Sequence, residues 1–192
     1  MFVKNIKVLN MKNYISENFN ESKAINAVLY VSNKLKRKDF HKIFKVLYFA
    51  DRNHLSEYGR SITGDTYIAM NDGPVPSKIY DIFKSVRGDS YFKDTGNFSA
   101  YFSVENWDII RPVAEPNLKV LSKTDLEYLE DSLKEYGFLS WDEVREKSHD
   151  YAWRNTPLNT PITIDNFLLE TGSEDSYIGY VKDNINFVKS FQ

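Results

Sequence analysis

The fold turns on one stretch, Lys45–Tyr67, KVLYFADRNHLSEYGRSITGDTY, continued at Asn71–Tyr80 by NDGPVPSKIY. Working back from it, Phe40, Ile43, Phe44, Leu47 and Ala50 recur at three- and four-residue spacing, and Val46 and Phe49 widen the apolar stripe, which predicts a central, largely buried helix opened by Asp39. Gly59 ends it, as a residue free to adopt the left-handed backbone. The period then changes. Thr66–Met70 reads as a short strand, Asn71-Asp72-Gly73 as a turn, and Pro74 with Pro76 as an extended lead into a helix over Ser77–Val86. Helices on both sides of a small antiparallel β element give a mainly α (α+β) domain.

The flanks follow the same logic. Ser22 is the expected cap of a helix carrying Ile25, Val28, Leu29 and Leu35. Phe98–Val104 and Trp107–Val113 form a second β hairpin across Glu105-Asn106. Ser122 with Asp125 is a capping box for a helix bearing Leu126, Leu129 and Leu133, with Gly137 as its left-handed terminus. Ser140 with Glu143 opens another helix through Ser148, followed by an aromatic corner of His149, Tyr151 and Trp153. Helices over Thr163–Glu170 and from Ser173 onward complete the chain. The expected division is an extension over residues 1–21 and one domain over 22–192.

Composition narrows the function. With 192 residues, 42% hydrophobic, and 13 Tyr and 13 Phe, the chain can bury a sizeable aromatic core. It has no Cys, which excludes disulfides, thiolate catalysis and Cys-bound zinc and fits a cytoplasmic setting. The N-terminus lacks the sustained apolar run of a signal peptide or membrane span. The net charge of −2 disfavours nucleic acid as a partner. It hides an asymmetry, because Val31–Arg60 is strongly basic and Ser122–Asp150 strongly acidic. The two segments either present solvated helix faces, or face each other, or offer a basic docking face to an acidic partner.

No serine-nucleophile, phosphate-loop or dinucleotide motif occurs. Asp51 and His54 are three apart and are a permissible pair of metal ligands, but no third ligand lies near in sequence. The residues therefore name no catalytic group, metal or cofactor. Two alternatives stand beside a protein-binding role. A winged-helix-like DNA-binding regulator would use the basic run Lys34–Lys45 with a hairpin as its wing. A metal-dependent hydrolase would use His54.

Three ordered motifs, K-x-L-Y-x-A-D at 45–51, G-R-x-[IL]-T-G-D at 59–65 and G-P-V-x-S-x-[IL]-Y at 73–80, make the chain resemble the Panacea domain of SocA-like antitoxins. Ser122 with Asp125, Tyr136-Gly137, Ser140, and Ser148-His149 before Trp153 extend the resemblance over Lys23–Asn155. It implies a bacterial type II toxin–antitoxin system, often on a mobile element, in which this domain binds and neutralises a cognate protein toxin. Some relatives deliver the toxin to a ClpXP-type protease. The motif or partner-binding residues are then Asp51, Arg52, His54, Gly59, Gly64, Asp65, Asn71, Gly73, Pro74, Ser77, Tyr80, His149 and Trp153. Most have scaffold reasons of their own, while Asp65, Asn71 and Asp72 are the polar members available to a partner. Tyr177, Tyr180 and Phe187 on the last helix either anchor an interface or complete the core. The oligomeric state is not implied.

Overall fold

The computed structural model describes residues 19–191 apart from 90 and 92, so most of the expected extension lies outside the described residues. Its frame is α1 (Glu21–Lys34), α2 (Phe40–Tyr58), a hairpin of β1 (Tyr67–Met70) and β2 (Gly73–Pro76), and α3 (Ser77–Arg87). A second hairpin, β3 (Phe102–Glu105) and β4 (Ile109–Pro112), leads to α4 (Lys123–Tyr136), α5 (Trp141–Ser148) and α6 (Tyr151–Arg154). Helices α7 (Ile164–Glu170) and α8 (Asp175–Lys189) close the chain. The mainly α architecture with two small antiparallel hairpins is the predicted one.

Helix α2 is the centre, packed against α1, α4, α5, α7 and β2. Its broad stripe explains why. Ile43, Val46, Leu47, Tyr48, Phe49 and Ala50 are all buried, each large one contributing roughly 1.5 to 3 kcal/mol. The core is aromatic, with Phe49 stacked on Tyr136 at 3.7 Å and Tyr48 edge-on to Tyr67 at 5.3 Å. Asp39 caps α2 through the Lys42 N–H, and Gly59 ends it at φ 66°.

Several boundaries differ from expectation, each for a physical reason. Asn20, as good a cap as Ser22, takes the Lys23 N–H, so α1 begins at Glu21. Gly73–Pro76 is a strand and not merely a lead, pairing with β1 in the register Tyr67↔Pro76 to Met70↔Gly73. Proline is tolerated there because β2 lies at the edge of its two-stranded sheet. Phe98–Ala100 forms a 3-10 turn that shortens the second hairpin, and α8 starts at Asp175. Gly137 is right-handed at φ −63°, and glycine is needed because a Cβ would run into the Leu133 carbonyl.

The basic and acidic segments face each other. Lys34 pairs with Glu130 at 2.7 Å, Arg52 with Asp150 at 2.8 Å and Arg60 with Asp125 at 2.9 Å. Lys42 is buried and donates to the Tyr136 and Leu139 carbonyls at 2.9 and 2.6 Å, a cation at the end of α4. Opposite charges thus meet across the joint between α1–α2 and α4–α6, with Asp150 buried, Arg52 largely so, and Lys34 and Arg60 still partly open to solvent.

Candidate functional site

The loop between α2 and β1 is organised by two buried carboxylates. Asp51 accepts the Ile62 and Thr63 N–H groups at 2.7 and 3.0 Å, the Thr63 hydroxyl at 2.5 Å and the Tyr67 hydroxyl at 2.8 Å. Burial raises its pKa, and these donors oppose the rise. Gly64 takes φ 71°. Asp65 accepts the Thr66, Lys78 and Ile79 N–H groups at 2.7, 2.9 and 2.8 Å. It thereby supplies the cap that Pro76, the residue before α3, has no side-chain donor or acceptor to provide. Burial pushes its carboxyl up to about 6.

The hairpin turn is bolted down on its inner side. Lys45 is buried beneath it, donates to the Pro74 carbonyl at 2.9 Å, and is pushed down to about 7 by burial. Gly73 sits at φ 92° where a Cβ would strike Ser148 Oγ and come within 2.9 Å of Lys45 Cε. Arg145 donates to Asp72 Oδ1 and the Asn71 carbonyl, and His41 Nε2 donates to the Asp72 carbonyl at 3.2 Å. His149 stacks on Trp153 at 3.8 Å, and the Trp153 indole N–H reaches the Met70 carbonyl at 2.9 Å.

The remaining motif residues are also held internally. Arg52 and Tyr48 both donate to Asp150 Oδ2, and Asp150 Oδ1 caps α6 through the Trp153 N–H. Ser77 opens α3, its N–H donating to the Thr66 carbonyl, and Tyr80 meets Phe40 and Phe44 edge-on. His54 is buried and kept neutral by desolvation. Its Nδ1–H donates to the Arg60 carbonyl at 2.8 Å, leaving Nε2 to accept from the Thr124 hydroxyl at 3.0 Å. Among the described residues no group of three His, Asp or Glu side chains is placed to hold a metal ion. Of the motif residues predicted for a site, only Asn71 is exposed, with Asp72 beside it.

A cavity of about 330 Å³ opens on the other side of the Gly59–Gly64 loop, between that loop and α8. Leu55, Ile62, Ile185 and Val188 give it apolar walls, and its charged lining residues are Lys23 and Arg60. Both cations reach the fully buried Asp125, at 2.6 and 2.9 Å. Burial alone would raise the Asp125 pKa, but Lys23, the Ser122 N–H and Arg60 together hold it below the usual carboxylate range. Helix α8 rests on Gly59, whose Cβ position lies 3.4 Å from Val181. Its outer face leaves Tyr180 and Phe187 at least 61% exposed, and Phe191, just past its end, is exposed too. The sequence singles out Tyr180 and Phe187. It also marks Asp125 as a capping residue and Lys45 as the head of a motif, but that Asp125 holds two cations and Lys45 lies beneath the hairpin is decided between distant segments.

A family model described as antitoxin SocA-like, Panacea domain, matches residues 43–154, more than half of the chain. The chain belongs to this family. Neither a curated protein nor a solved structure matches it. In this SocA-like chain the matched span runs from within α2 to the end of α6, so it contains the loop held by the two buried carboxylates and the locked hairpin. Helix α8 and the α1 wall of the cavity lie outside that span.

Proposed function

We propose that this chain is the antitoxin of a bacterial toxin–antitoxin pair and acts in the cytoplasm by binding a cognate protein toxin, without catalysing a reaction. The family match over residues 43–154 carries the reading. The arrangement of the motifs supports it, since they build a closely hydrogen-bonded frame that leaves Asn71 and Asp72 exposed, while α8, outside the motifs, exposes Tyr180 and Phe187. Rigid frames that present loops and aromatic anchors are how binding surfaces limit the entropy lost on association. Pairing of Lys34 and Arg52 with carboxylates, together with the net charge of −2, supports a protein partner over nucleic acid, for which several free cations on one face are needed.

The test is growth. Each gene neighbouring this one is expressed alone and then together with this chain. One neighbour is expected to arrest growth alone and to be rescued by co-expression, with the two proteins co-purifying. If no neighbour is toxic, or if co-expression rescues none, the reading fails.

A further inference from the structure

The cavity between α8 and the Gly59–Gly64 loop has a chemistry the frame does not use. Its walls are aliphatic, Val188 on the rim is 50% exposed, and about 330 Å³ is the lower end of what ligand sites enclose. Two cations share one carboxylate at its mouth. Lys23 and Arg60 both bond Asp125, His54 beside it is neutral, and the Arg60 side chain remains 44% exposed, so an excess positive charge faces outward. Apolar walls beside an unbalanced cation suit a group that is itself apolar and anionic.

We propose that this cleft receives an aliphatic–acidic segment of the protein partner, one apolar side chain entering between Ile62 and Ile185 and an adjacent carboxylate meeting Arg60 and Lys23. The proposal rests on the toxin-binding reading for the identity of the partner, and on the cleft alone for its chemistry. Charge decides between occupants. Residues 1–18 of the chain itself carry Lys4, Lys7 and Lys12 against Glu17, the wrong sign for this mouth. A carboxylate from a partner has the right one, and its attraction is strengthened by the apolar surroundings.

Two arms test it. In the first, the full chain labelled with ¹⁵N is titrated with the peptides acetyl-GGLLEE-amide and acetyl-GGLLKK-amide. The acidic peptide should shift the amides of Ile62, Ile185 and Val188 and bind at least about tenfold more tightly than the lysine peptide, a difference of about 1.4 kcal/mol. Binding should weaken as salt rises from about 0.05 to about 0.5 M. Equal binding of the two peptides, shifts confined to another face, or self-association that buries the cleft overturns the proposal.

The second arm repeats the growth rescue with Val188→Glu and Arg60→Gln, and with Trp107→Ser on the distant second hairpin as the control. Circular dichroism verifies that each variant is folded. Rescue should fall at least about tenfold in surviving cells for Val188→Glu, less for Arg60→Gln, and not for the control. If the native chain and folded Val188→Glu rescue equally, the cleft proposal falls and the antitoxin reading stands. If the native chain rescues no neighbour, the antitoxin reading falls and the peptide titration alone decides the cleft.

Discussion

Asp65 caps Ile79. Its Oδ2 accepts that backbone N–H at 2.8 Å across 14 residues of sequence, while Oδ1 takes the N–H of Lys78. One carboxylate thus fixes where α3 starts relative to β1. Asp65→Ala should cost about 2–4 kcal/mol, since two buried donors and a part-buried one lose their acceptor. The pH profile gives a sharper check. The folded carboxyl is raised to about 6 by burial, so its contribution to stability is full below the ordinary carboxylate range and is lost as pH rises through about 6. Urea midpoints of Asp65→Asn, lower overall, should lose this decline between about pH 4 and 6. An unchanged profile refutes the assignment.

Lys45 runs the opposite way. Its folded pKa, pushed down to about 7 by burial, lies below the unfolded value near 10.5, so its contribution is present at high pH and is lost as pH falls through about 7. Native stability should therefore rise with pH between about 7 and 10 by up to about 1.4 kcal/mol per unit from this group. Lys45→Met should flatten that slope and be more stable than the native chain below about pH 7, where the buried ammonium is removed. A steeper slope in Lys45→Met would contradict this.

Gly73 and Gly88 separate two kinds of glycine requirement. Both have positive φ, at 92° and 87°, but a Cβ at Gly88 meets nothing within 4 Å. Gly88→Ala should cost only the backbone strain, about 1–2 kcal/mol. Gly73→Ala adds the collision with Ser148 and Lys45, for about 2–5 kcal/mol in all. Chemical denaturation of the two single variants measures the difference, and equal losses would show that the hairpin is less tightly seated than described.

Asp150 holds Tyr48, Arg52 and the start of α6 at once. Asp150→Ala should cost about 1.5–3 kcal/mol, because it removes the nearer of two carboxylates from a guanidinium whose side chain is only 11% exposed, leaving Glu170 at 3.4 Å. Adding Arg52→Met should recover part of the loss, giving a coupling of about 0.5–3 kcal/mol in a double-mutant cycle. Strict additivity would mean that the pair does not interact.

What was legible in the sequence is what is local. Both capping boxes, Ser122 with Asp125 and Ser140 with Glu143, form as read, because each closes within three residues. Gly59 ends α2 as expected, whereas Gly137 looked the same in sequence and is needed for a close approach instead. Asp65 reads as a turn residue, and only the fold reveals that it caps a helix beyond the hairpin. Lys42 is indistinguishable in sequence from the surface cations around it, and Lys45 is set apart only by its place at the head of a motif. Their burial depends on carbonyls supplied by Tyr136, Leu139 and Pro74. The three motifs marked the frame and, through Gly59–Gly64, one wall of the cleft beside α8, but not the cleft itself, whose other walls come from α1, α2 and α8.

The joint between the basic and acidic segments also sets a timetable. Tyr48 and Asp150, like Lys23 and Asp125, are 102 residues apart in sequence. At ribosomal rates of about 5–20 residues per second, α2 leaves the ribosome about 5–20 seconds before the helices that cover its lysines and aromatics. For that interval the nascent chain exposes the surface most inviting to chaperones and proteases. A chain cut short before α4 would therefore leave that surface of α2 uncovered.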